Sequence, residues 1–209
     1  MRIAILIFDG LTALDAIGPY EVLSRLPEAE VTFVGAAVGS IRTDTRALGL
    51  QVDATIEEVP SPEVFLVPGG KGNRPLLADE RVLDWVRSAH ETSAWTTSVC
   101  TGSLVLGAAG VLEGKRATSH WAYRDRLAEF GATPVAERVA QDGKVMTAAG
   151  VAAGIDMALT LAARIAGDEI AKAIQLGIEY DPDPPFDTGS PEKAGPGLVD
   201  LIHQAEDRG

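Results

Sequence analysis

One stretch, Ala94 to Gly110 (A-W-T-T-S-V-C-T-G-S-L-V-L-G-A-A-G), leaves the chain little choice of fold. Its first part, Trp95 to Val99, is apolar and β-branched, the pattern of a short buried strand. Its second part, Gly102 to Ala109, is small and aliphatic, the pattern of a helix lying close on a sheet. No Gly/Pro loop separates them, so the chain must turn from strand to helix almost at Cys100, the only cysteine of the 209 residues. So sharp a turn lifts one side chain clear of the sheet and sets it beside the helix's first free N–H groups, which stabilise an anion. A cysteine there is expected to have a lowered pKa and to act as a nucleophile, by the logic of the nucleophile elbow of hydrolases. Without that context, a lone cysteine would read as an inert core residue.

The remaining sequence alternates strands and helices. Arg2 to Phe8, Glu30 to Ala36 and Val64 to Val67 read as strands, the first and third aliphatic enough to be covered on both faces. Asp15 to Leu26 reads as a helix with a kink or restart at Gly18-Pro19, and Asp79 to His90 as an amphipathic helix. Asp15 therefore stands near a helix start, just past the first strand, with helix N-capping as its competing role. Leu48 to Ala54 suggests a small edge hairpin. Val64 to Val67 runs into P-G-G-K-G, where Gly69 and Gly70 let backbone amides approach a ligand or an oxyanion. Arg116 to Ser119 reads as a short strand, followed by His120-Trp121, and Trp121 to Phe130 as a helix. Thr133 to Val139 and Lys144 to Thr147 are expected to pair across Gln141-Asp142-Gly143. A glycine turn at Gly150 opens a long small-residue helix, and a second helix covers about Asp168 to Gly177. Glu179 to Pro196 is too rich in proline for regular structure and reads as an extended arm, with a short helix from Gly197 to Glu206. The expectation is one domain over 1–209, an α/β sandwich around a mostly parallel sheet. The loops bearing Asp15, Gly69-Gly70 and Cys100 would converge at the carboxyl ends of its strands.

Composition narrows the function. A formal charge of −12 argues against nucleic acid, whose phosphates would be repelled. No apolar run is long enough for a bilayer span, and the apolar N-terminus stops at Asp9, as a strand rather than a signal peptide does. One cysteine and three scattered histidines offer neither a disulfide nor a metal cluster, which points to a reducing cytoplasm.

The motifs V-C-T-G-S-L-V-L-G-A-A-G-V-L-E-G-K-R-A-T-S-H-W-A-Y, L-D-A-I-G-P-Y-E-V-L, P-G-G and G-V-A-A-G-I-D-M-A-L occur in that order, ahead of the tail L-G-I-E-Y-D-P-D-P-P-F-D-T-G-S-P. Together they resemble the DJ-1/PfpI superfamily and, within it, the isocyanide hydratases. The resemblance implies a flavodoxin-like three-layer sandwich of the class I glutamine amidotransferase type and a homodimer, and the chemistry expected below calls for no metal or organic cofactor. It implies Cys100 as nucleophile and Asp15 as acid. Most of the superfamily carries glutamate there, and the hydratases aspartate. Protease-like members place histidine directly after the cysteine, where this chain has Thr101. The related regulators carry a helix-turn-helix region that this sequence lacks.

The expected reaction is hydration of an isocyanide to an N-substituted formamide. Cys100 thiolate attacks the terminal carbon, and Asp15, its pKa raised by burial, protonates that carbon and then activates water. Amides of Gly70 and Thr101 stabilise charge, and the Thr101 hydroxyl holds Asp15 or the water. Gly150 and Val151 would line the pocket. His120 is a further candidate, against a structural role beside Trp121, whereas Asp156 is expected only to make local hydrogen bonds. The rival readings are a glyoxalase- or deglycase-type enzyme of 2-oxoaldehydes, a cysteine redox sensor, and a regulator without its DNA-binding region.

Overall fold

The architecture follows from strands whose alternate residues feed two different helix layers. The computed structural model describes residues 1–207, with side chains through Ala205. Strands β1 (Arg2–Leu6), β2 (Glu30–Gly35), β5 (Ala54–Thr55), β6 (Val64–Val67), β7 (Trp95–Val99), β10 (Val139–Asp142) and β11 (Val145–Ala148) form a seven-stranded sheet in the order β10-β11-β7-β6-β1-β2-β5. Every pairing in it is parallel except that of β10 with β11. Successive side chains of a strand point to opposite faces. Accordingly Ile3 and Ile5 of β1 and Val64 and Leu66 of β6 join Val22 and Leu23 of α1 (Ala13–Leu23) and Met157 and Leu161 of α4 (Ala153–Ala166). On the opposite face Ala4 and Leu6 with Phe65 and Val67 meet Val82 and Val86 of α2 (Glu80–Thr92) and Leu104 and Val105 of α3 (Gly102–Ala108). The result is a layer of helices on each side of a buried parallel sheet, the arrangement the near-continuous aliphatic strands require.

Two smaller pairings sit outside this sheet. Strands β3 (Gly39–Arg42) and β4 (Gly49–Val52) form an antiparallel hairpin. Strands β8 (Arg116–Ala117) and β9 (Thr133–Pro134) pair in parallel. Helix α5 (Asp168–Gly177) packs Ala171 and Ile174 into the core on the α1–α4 side. The chain divides into two compact units, Met1–Ile178 and the segment from Glu179 onward. The second unit has no regular structure until α6 (Pro191–Ala194) and then α7 (Pro196–Asp207). No helix among the described residues is long and apolar enough to cross a membrane.

Several expected boundaries move. Helix α1 runs without interruption through Gly18-Pro19, where a kink was expected. Trp121 to Phe130 is not an α-helix: Arg124–Phe130 is a 3-10 helix, ending at Gly131 with φ 73°. The hairpin partner of β11 is Val139–Asp142, not Thr133 to Val139, because the turn is made by Gly143 and Lys144 alone. Thr133–Pro134 is left to pair with a strand far upstream.

Strands β11, β7, β6 and β1 are neighbours and run the same way, so the loops after them lie side by side at one sheet edge. From β1 the chain goes to β2 on one side and returns to β6 on the other. The crevice at such a reversal is where open α/β sheets bind ligands.

Candidate active site

At this edge β7 ends in Cys100, which has φ 58°, the left-handed region that non-glycine residues rarely enter. The strain is held from several directions. The Cys100 N–H donates to the carbonyls of Ala148 and Ala149 at 3.1 and 3.0 Å. The Cys100 carbonyl accepts from Ser103 Oγ at 3.1 Å and Ser119 Oγ at 3.0 Å. The next carbonyl, that of Thr101, accepts from Asn73 Nδ2 at 2.8 Å. Helix α3 then starts at Gly102, pressed so closely on β6 that a Cβ there would lie 2.0 Å from the Val67 carbonyl oxygen. Only glycine fits this position, and its closeness is what makes the turn sharp.

Asp15 lies in the first turn of α1 and is fully buried. It does not cap the helix; Thr12 occupies the N-cap position. Instead Asp15 Oδ2 accepts the Gly69 N–H at 2.9 Å, and Oδ1 is buried with no hydrogen-bond partner. Gly69 is wedged between the other two loops: a Cβ on it would stand 2.6 Å from both Thr101 N and Oγ1, and 3.0 Å from Asp15 Oδ2. The Gly69 carbonyl accepts from Thr12 N–H at 3.0 Å. The loops after β1, β6 and β7 are thus joined to one another by backbone groups, with Asp15, Gly69, Thr101 and Cys100 brought together.

The Gly70 amide, expected to face a reacting atom, is already engaged, donating to Thr101 Oγ1 at 3.1 Å. The amides that act on the Cys100 sulfur are those of Thr101 and Val151, and each favours its thiolate form. Val151 itself has φ 31°. His120 stands close to Gly150, whose Cβ, if it had one, would lie 2.7 Å from the ring's Cδ2. Its ring also stands 5.5 Å from that of Trp121 and 6.1 Å from that of Tyr123. Asp156 lies apart from this constellation in an ion pair with Arg138 at 2.5 Å.

Burial governs the ionisation of both reactive groups. It pushes the Asp15 carboxyl up to about 7, against the pull of the Gly69 N–H and the Cys100 thiol, with a smaller upward push from the Asp44 charge. Burial also pushes the Cys100 thiol up, and the Asp15 carboxyl beside it pushes further; the Thr101 and Val151 amides oppose this without reversing it. The expected lowering of the cysteine pKa is therefore not what the site produces. With 6% of its surface exposed, Cys100 loses more to desolvation than the amides return. What the site holds is a coupled thiol–carboxyl pair. Above about pH 7 the pair carries one proton, and below it two.

Asn73, Ser103 and Ser119 were not singled out by sequence reasoning. Ser103 is visible in retrospect, three residues past the nucleophile in C-T-G-S, whereas nothing local marks Asn73 or Ser119.

The DJ-1/PfpI family model matches residues 1–164. An isonitrile hydratase from Pseudomonas putida is 48% identical over 200 residues, spanning 96% of this chain and 87% of that protein. The crystal structure of a ThiJ/PfpI family protein from Pseudomonas syringae superposes with a TM-score of 0.94 at 37% identity, covering 99% of this chain and 86% of that one. Drosophila melanogaster DJ-1beta shares the fold, with a TM-score of 0.77 at 23% identity over 85% of this chain and 97% of that one. With the family model matched over residues 1–164 and a relative 48% identical over 96% of its length, the chain belongs to the DJ-1/PfpI family.

Proposed function

We propose that the protein is an isonitrile hydratase, converting R–N≡C and water to an N-substituted formamide. The observation that carries this reading is the buried Asp15–Cys100 pair: a nucleophile and a proton carrier set at one edge of the sheet, beyond the ends of β7 and β1, with one proton between them above about pH 7. The full-length similarity to the Pseudomonas putida hydratase supports it.

The reaction needs a nucleophile at the terminal carbon, a proton on that same carbon, and one water. As Cys100 Sγ bonds to the carbon, its S–H proton passes to the Asp15 carboxylate, which delivers it to the carbon. The product is the thioimidate R–N=CH–S–Cys100. No free-standing thiolate is required, which suits a thiol pushed up by burial. Asp15, again a carboxylate, takes a proton from water as the oxygen adds to the same carbon, and that proton goes to nitrogen. The adduct R–NH–CH(OH)–S–Cys100 collapses to R–NH–CHO and the thiol. The Thr101 and Val151 amides stabilise charge on sulfur as it forms and departs. Thr101 Oγ1, holding Gly70, fixes the Gly69 amide that orients Asp15. Gly150 and Val151 wall the site, with His120 behind them.

We also propose a homodimer in a reducing cytoplasm. The solvent-facing Leu176 on α5, and Leu198 and Leu201 on α7, supply apolar surface for association, and the one cysteine takes no part in an intrachain disulfide. Sedimentation at micromolar concentration checks the oligomeric state.

The deciding experiment follows formamide formation by NMR from a panel of alkyl isocyanides, with methylglyoxal in parallel. Wild-type protein is expected to form formamide, and Cys100→Ala and Asp15→Ala to be inactive while folded. Turnover by Cys100→Ala would exclude covalent catalysis, and turnover of methylglyoxal alone would replace the substrate class.

A further inference from the structure

The Cys100 carbonyl is held by two side chains that the reaction does not consume, and they approach it from different parts of the chain. Ser103 belongs to α3, three residues on. Ser119 follows β8, nineteen residues on. Both are buried, Ser103 wholly and Ser119 to within 1%. Together they offer one donor to each of the two lone pairs of a carbonyl oxygen.

The neighbours of Ser119 reach other parts of the same site. The Thr118 N–H donates to Thr147 Oγ1 on β11 at 2.9 Å. The ring of His120 abuts Gly150, next to the Val151 whose amide acts on the sulfur. Residues 118–120 therefore form a strap across three parts of the site: β11, the turn at Cys100, and the Gly150–Val151 loop. A left-handed φ at a non-glycine residue persists only where its surroundings hold it, and the strap does so from outside the strand–turn–helix unit.

We infer that Ser119 is a positioning residue. Its hydroxyl, with that of Ser103, fixes the Cys100 carbonyl and so keeps the sulfur between the Asp15 carboxyl and the amides of Thr101 and Val151. Only the kinetic part of this inference rests on the hydratase reading. The positional part concerns the thiol alone.

The test compares Ser119→Ala, Ser119→Thr, Ser103→Ala and the double alanine variant with wild type. Thermal melts establish that each is folded. Alkylation of Cys100 by iodoacetamide is followed by intact mass from pH 6 to pH 10, and isocyanide turnover is measured separately. In Ser119→Ala, alkylation at pH 7–8 is expected to slow by about fivefold or more, with its pH profile displaced upward as the sulfur leaves the two amides. Turnover is expected to fall roughly 10- to 100-fold in kcat with KM little changed, the signature of a misplaced reacting group. Ser119→Thr, which keeps the hydroxyl, is expected to recover most of both. Ser103→Ala alone should do less, and the double variant more than the two losses combined. An alkylation profile for folded Ser119→Ala that superimposes on wild type, or is faster, overturns the inference, as does failure of a folded Ser119→Thr to recover. If wild-type protein hydrates no isocyanide, the hydratase reading fails and the alkylation profiles still decide the role of Ser119.

Discussion

Asp15 and Cys100 cannot both be charged at neutral pH, since each is buried and the Asp15 carboxyl further disfavours the thiolate beside it. The form ready to react is the one holding a single proton, because a doubly protonated pair has no base to receive the thiol proton. That form appears as Asp15 ionises, at about 7. The rate constant kcat/KM is accordingly expected to rise with pH through about 7 and then level off, the reverse of the fall expected if Asp15 acted only as an acid. Initial rates between pH 5.5 and 9 with a non-titrating alkyl isocyanide check this, and a descending limb at pH 7 would reject the proton assignment. At this scale the placement of Cys100 and Asp15 just past strand ends was legible in the sequence, whereas the part assigned to Asp15 came from the family resemblance. The direction of the cysteine's shift was not legible: a turn at a helix start implies donors, but the burial of the sulfur and the carboxyl beside it come from parts of the chain distant in sequence, Asp15 of α1 among them. Asn73 and Ser119 were hidden for the same reason. Each is an ordinary polar residue until the fold sets it against the carbonyl of Thr101 or Cys100.

The elements that place these groups depend on a few close backbone approaches, and Gly102 makes the tightest of them. A methyl group there meets the Val67 carbonyl oxygen, which is part of β6 and has no rotamer by which to move aside. Gly102→Ala is therefore expected to push α3 off the sheet, costing about 3 kcal/mol or more as overpacking against fixed backbone does. Urea unfolding measures the loss, and slowed Cys100 alkylation in the folded fraction shows whether the turn opens with it. The elements themselves were legible where one period dominates: β1, β6 and β7, and the amphipathic α2, came within a few residues of their observed bounds. Reading failed where a partner is distant or a turn is very short. Thr133–Pro134 pairs with Arg116–Ala117, seventeen positions upstream in register, and no local pattern announces that. The Asp142-Gly143 signal was real, but assigning Gln141 and Asp142 to the loop displaced the strand that ends there. Arg124–Phe130 adopts the tighter helix with Phe130 held against Gly107, a tertiary contact that helical periodicity does not encode.

For the molecule as a whole, two buried or half-buried groups draw stability in opposite directions across the pH range in which the enzyme would work. Asp15 has a folded-state value near 7 against 3.8 for a free side chain. Between those limits the folded protein retains a proton that the unfolded chain has released, so this group lowers stability as pH rises, with its full cost present above about 7. The gap corresponds to on the order of 4 kcal/mol if Asp15 titrated alone, and to less when it shares a proton with Cys100. His90 acts in the opposite sense. Desolvation and the charges of Lys144 and Lys115 hold its pKa below the ordinary 6.5, while its Nδ1 lies 2.7 Å from Thr96 Oγ1. Just below 6.5 the unfolded chain takes up a proton that the folded protein refuses, so stability falls as pH drops through that window. Difference profiles separate the two. Asp15→Asn is expected to gain melting temperature over wild type progressively from about pH 4 to pH 7 and to keep a constant gain above it. His90→Gln is expected to gain only below about pH 6.5, where wild type is losing stability. A gain for Asp15→Asn that does not grow between pH 5 and pH 8 would mean that Asp15 is ionised throughout, and the rise of kcat/KM with pH would then have to lie below pH 5 rather than at about 7.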